Sequence, residues 1–191
     1  MQLRRRDFLL GGATAGALVG AGVLVPIGFV LADGDGGGAT AARLASFPRL
    51  KVGALADFEV GEPVFFDYPF EVLSNLAVRT GATTLGGIGP DADLVAFSNQ
   101  CTHMGCPITT YDVENHALGP CPCHFTSFDL SRDGVPAFGQ ATQNLPRILL
   151  EIDEDDVYAT GVFRLIYGRQ DNLVSEGLFA VGEPVEAGVS S

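Results

Sequence analysis

An all-β domain is what this chain predicts, on three observations. Beyond the first 46 residues it is built of short apolar runs broken by Gly, Pro and Asp, at the spacing of strands and turns. That region nowhere sustains the apolar period of an amphipathic helix, and it shows no internal repeat. Finally, Leu149-Leu-Glu-Ile-Asp-Glu-Asp-Asp-Val-Tyr158 places a run of acids between two apolar segments, which reads as a hairpin with a solvated turn.

In chain order, residues 1–32 come first and stand apart from the body. They open Leu3-Arg-Arg-Arg-Asp-Phe-Leu-Leu10 and continue as an apolar stretch to Leu31. Arg5-Arg6-x-Phe8-Leu9 matches a twin-arginine export signal. Gly11, Gly12, Gly16, Gly20, Gly22 and Gly28 argue against a packed soluble helix. The 24 residues from Phe8 to Leu31 would span about 36 Å as a helix, against a hydrocarbon core of about 30 Å. That is long enough for a membrane anchor, while Val30-Leu-Ala32 fits a cleavage site, and both outcomes stay open. Export places the protein in the periplasm or on the outer face of the cytoplasmic membrane.

Residues 33–46, starting Asp33-Gly-Asp-Gly-Gly-Gly38, read as a flexible linker. Residues 47–191 suffice for one domain with its own core. Strands are expected at 63–66, 76–79, 94–98, 148–152 and 157–160. The formal net charge of −12 excludes a nucleic-acid footprint.

Chemistry concentrates between the third and fourth of these strands. Cys101-Thr-His-Met-Gly-Cys106 and Cys121-Pro-Cys-His124 contain all four cysteines and two of the three histidines. Each box offers a Cys and a His as metal ligands, with one Cys to spare. A structural zinc site usually groups its cysteines and histidines in separate pairs, and here they are mixed within each box. Two plain disulfides in an exported chain would leave both histidines without a role. Gly105 suits a tight turn, and Pro107 and Pro122 stiffen the loops. His116, between the boxes, has no motif partner and reads as a solvated loop residue.

At these boxes the sequence resembles the Rieske proteins, whose [2Fe–2S] cluster has two thiolates on one iron and two imidazoles on the other. The resemblance implies one such cluster, with Cys101 and Cys121 on one iron and His103 and His124 on the second. It implies a Cys106–Cys123 disulfide bracing the loops. It also implies stacked antiparallel sheets, two or three of them, with the cluster loops at one tip and the histidines facing solvent. Two positions beyond the second box tune such a cluster. Quinol-oxidising members usually have Ser and Tyr there, both donating to sulfur. This chain has Thr126, which can donate, and Phe128, which cannot, and losing a donor lowers the potential.

Downstream, Phe138-Gly-Gln-Ala-Thr-Gln-Asn-Leu-Pro146 replaces the proline-rich segment of cytochrome bc subunits. With Ile166-Tyr-Gly-Arg-x-Asp-Asn172 and the twin-arginine start, it resembles the small subunit of arsenite oxidase. That likeness implies a heterodimer with a molybdopterin-containing large subunit that oxidises arsenite, and a cytochrome c or small copper protein as acceptor. The chain would carry electrons without a substrate site of its own. The alternatives are the Rieske subunit of a quinol-oxidising cytochrome bc complex, a Rieske ferredoxin or oxygenase component, and an exported β-domain with a structural metal.

Overall fold

A computed structural model describes residues 47–173 and 184–186. The expected signal (1–32) and linker (33–46) lie outside the described residues. Ten strands are described: β1 (Leu50–Ala54), β2 (Val64–Asp67), β3 (Ser74–Arg79), β4 (Leu94–Ser98), β5 (Tyr111–Asp112), β6 (Ala117–Leu118), β7 (Ser127–Asp129), β8 (Val135–Phe138), β9 (Arg147–Asp153) and β10 (Asp156–Phe163). Short 3-10 turns follow β1 and β7, and no described helix is long and apolar enough to cross a membrane.

The strands form two antiparallel sheets, one of six in the order β1-β10-β9-β4-β3-β2 and one of four in the order β5-β6-β7-β8. All five expected strands are present. The acidic hairpin is β9–β10, closed where Asp153 pairs with Asp156, with Glu154 in the left-handed region at φ 56°.

Strand β4, Leu-Val-Ala-Phe-Ser, is buried at every position and shows no alternation, as expected of a strand covered on both faces. One face sends Leu94 and Ala96 into a core with Leu50, Phe66, Ala77, Ile148 and Val157, all from the six-stranded sheet. The other sends Val95 and Phe97, with Leu76 and Val78 of β3, against Leu118, Phe128 and Leu130 of the four-stranded layer. Cys101 and Cys121 belong to that second core. The small sheet and its loops therefore sit on a wall made by β3 and β4.

His116 departs from the expected solvated position. It is half-buried in the β5–β6 turn at φ 50°, and its carbonyl accepts the Leu130 N–H at 2.9 Å. That bond ties the turn to the start of the 3-10 turn Leu130–Arg132, and the imidazole Nδ1 is buried.

Candidate metal centre

Two loops of the same backbone shape present the metal-binding side chains. In the first, which follows β4, Gly105 N–H donates to the Cys101 carbonyl at 2.7 Å and Cys101 N–H to the Cys106 carbonyl at 2.9 Å. In the second, between β6 and β7, Phe125 N–H donates to the Cys121 carbonyl at 2.9 Å and Cys121 N–H to the Thr126 carbonyl at 2.7 Å. Four residues after its cysteine each chain turns through the left-handed region, at Gly105 (φ 76°) and Phe125 (φ 62°). Gly105 takes that conformation freely, whereas a Cβ makes it costly for Phe125. The cross-loop disulfide Cys106–Cys123 is formed, as the resemblance implied.

The remaining cysteines, Cys101 and Cys121, are free, 1% exposed and neighbours in the same core. Burial, first, and the neighbouring Cys121 sulfur push the Cys101 thiol up, while the backbone N–H groups of His103 and Met104 pull it down. Those two donors suit a sulfur that carries negative charge. The rings of His103 and His124 meet edge to face with centroids 4.7 Å apart. His124 is exposed, and His103 is half-buried with its Nδ1 shielded from solvent and without a hydrogen-bond partner. An orphaned buried nitrogen costs roughly 1–3 kcal/mol, and a metal ligand is one of the few roles that removes the cost. Two buried free thiols and this imidazole fit a mixed Cys/His metal centre. Cys106, Cys121 and Cys123 also place their sulfurs within 4.8 Å of one another. The disulfide removes two of those from ligation, so that trio is no site.

A third loop, residues 139–146, closes over both. Thr102 Oγ1 donates to the Gln143 carbonyl at 2.7 Å, and Thr126 Oγ1 accepts from the N–H groups of Gln140 and Ala141 at 3.0 and 3.3 Å. Phe128 is fully buried beside these loops, in the core that contains both free cysteines. Sequence reasoning missed Phe125 and Gly139. The equal four-residue offset from Cys101 to Gly105 and from Cys121 to Phe125 was the available signal for the first. No local signal existed for the second.

The all-β fold and this centre define a Rieske protein. Residues 53–148 match the Rieske [2Fe-2S] domain family, and the chain belongs to that family, with one Rieske-type [2Fe–2S] cluster. It is 46% identical over 171 residues to iodate reductase subunit IdrB of Denitromonas iodatirespirans, covering 89% of this chain and 86% of that protein. Against the subunit of the same name from Pseudomonas sp. (strain SCT) the identity is 44% over 167 residues, 87% and 82% of the two chains. Among solved structures it is similar to the soluble domain of the Rieske protein II (soxF) from Sulfolobus acidocaldarius, with TM-score 0.56 and 26% identity over 76% of this chain and 98% of that one.

Proposed function

We propose that this chain is the electron-transfer subunit of an iodate-reductase-type oxidoreductase, paired with a molybdopterin-containing large subunit. One observation carries this: the likeness to two iodate reductase subunits extends over 89% and 87% of the chain, well beyond the cluster boxes. The arsenite oxidase resemblance implies the same kind of carrier with the opposite direction of flow. Arsenite oxidation delivers electrons to the carrier, whereas iodate reduction withdraws them. A cytochrome c or small copper protein then serves as donor, not acceptor.

Cys101 and Cys121 hold one iron, and His103 and His124 the other. The bound cluster supplies a reversible one-electron site, and neutral imidazoles in place of two thiolates raise its potential. The exposed edge of His124 shortens the route to a partner. Segments 99–111, 115–128 and 134–146 contain no Asp, Glu, Lys or Arg, although the whole chain has 34 such residues. Met104, Phe125 and Phe138 on these segments are exposed. An uncharged, partly apolar tip suits a permanently associated subunit better than a partner steered by charge. Twin-arginine export after folding would let the cluster enter in the cytoplasm and the disulfide close outside.

The test uses the purified complex of this chain with its molybdopterin-containing large subunit. Under anaerobic conditions, iodate should reoxidise the prereduced Rieske centre within the enzyme's turnover time, and arsenite should leave the oxidised centre unchanged. Rapid reduction by arsenite with no response to iodate would establish the arsenite direction instead. For the ligands, His103→Cys should lower the potential. An unchanged Rieske spectrum in His103→Ala would remove His103 from the centre.

A further inference from the structure

Loop 139–146 does more than cover the site. Thr126 is fully buried, and its hydroxyl accepts the two backbone N–H groups of Gln140 and Ala141 from one side. A hydroxyl has two lone pairs and one proton. With both lone pairs filled by the loop, the proton must point away from it, and no hydrogen bond among the described residues takes that proton up. The loop reaches this close because residue 139 has no side chain. A Cβ on Gly139, whose φ is +102°, would lie 2.4 Å from Thr126 Cα and 2.7 Å from its Oγ1.

We infer that Gly139 and the amides of Gln140 and Ala141 form a fixed cradle that aims the Thr126 proton at the metal centre, making Gly139 a positioning residue for the reduction potential. The inference rests on the proposal that the Cys121–His124 loop holds the cluster. Its electrostatic basis is that a donor directed at the centre stabilises the reduced form, which carries the extra electron. Only a donor held in one orientation does so fully.

Redox titration of the cluster-loaded protein, followed by its visible and EPR spectra, tests this. Thr126→Val should weaken electron affinity about tenfold, or 59 mV for one electron, while Thr126→Ser stays near wild type. Gly139→Ala should shift the potential the same way, and the double variant with Thr126→Val should fall no further than Thr126→Val alone. Additive shifts would overturn the cradle, as would a Gly139→Ala potential equal to wild type. Should Gly139→Ala fail to fold, amide hydrogen exchange decides. The Gln140 and Ala141 amides should exchange faster in Thr126→Val than in Thr126→Ser, and equal rates would overturn the proposal. Loss of mixed-ligand spectra from wild type itself would refute the ligand set and the cradle together, whereas intact spectra with unmoved potentials would refute the cradle alone.

Discussion

Phe128 fills a place where a hydroxyl would matter. It is fully buried in the core shared with Cys101 and Cys121, and its ring offers no donor to a ligand sulfur. Phe128→Tyr should therefore raise the potential. A hydrogen bond to a charged group contributes roughly 1.5–3 kcal/mol, and about 1.4 kcal/mol shifts a one-electron couple by about 59 mV. Part of the gain is lost in fitting the added oxygen into a full core, so the expected rise is on the order of 50 mV. A titration showing no rise would place Phe128 away from the sulfurs. Phe125 poses the opposite case, an aromatic residue exposed in a conformation that favours glycine. It follows His124 directly and lies in a segment, residues 115–128, without charged side chains.

At the scale of elements, one tie holds the metal-binding loops together and a second anchors the loop that covers them. The disulfide joins residues 17 apart in sequence, and closing such a loop stabilises by about 3 kcal/mol on the chain-entropy estimate. Cys106→Ser should cost about that much in denaturant unfolding while leaving the type of EPR signal unchanged. Cys101→Ser should abolish or transform the signal. The second tie is Asp133, at φ 64° just before β8. Its carboxylate meets Arg147 of β9 at 3.2 Å and also Arg164, and its carbonyl accepts from Asn144 Nδ2 at 3.1 Å. The Arg147 contact is ionic, since its geometry falls short of a hydrogen bond. The three side chains are 14–29% exposed. Asp133→Asn would leave two half-covered guanidinium groups unmatched. The expected cost is about 2–3 kcal/mol, below the roughly 3–5 kcal/mol of a fully buried pair because solvent screens part of the charge. A loss under about 0.5 kcal/mol would reduce this clamp to a surface contact.

For the molecule as a whole, β3 and β4 separate two cores with different duties. Phe97 faces the core that carries the cysteines, and Val157 faces the core of the six-stranded sheet. Phe97→Ala should cost about 3–5 kcal/mol and also perturb the cluster's EPR signal, because the cavity opens under the loops. Val157→Ala should cost about 2 kcal/mol and leave the signal alone. Equal spectral effects from both variants would mean that the two cores act as one.

The sequence by itself determined the β class, five of the ten strands and the short list of side chains able to bind metal. Those features are local. An apolar run or a Cys-x-His spacing carries its meaning within a few residues, and the acidic hairpin is a contact between neighbours in the chain. Of the strands it concealed, β5 to β8 are two to four residues long, too short to show alternation, while the five residues of β1 include Lys51 and Gly53, which interrupt its apolar run. Only the tertiary structure decided that β4 is walled on both faces, that His116 is covered, and that Asp133 bridges to residues 14 and 31 positions away. It alone brought Gly139 against Thr126. Each of these depends on segments distant in sequence meeting in space, and such contacts leave no periodic trace in either segment because packing against a partner constrains shape and charge only where the two touch.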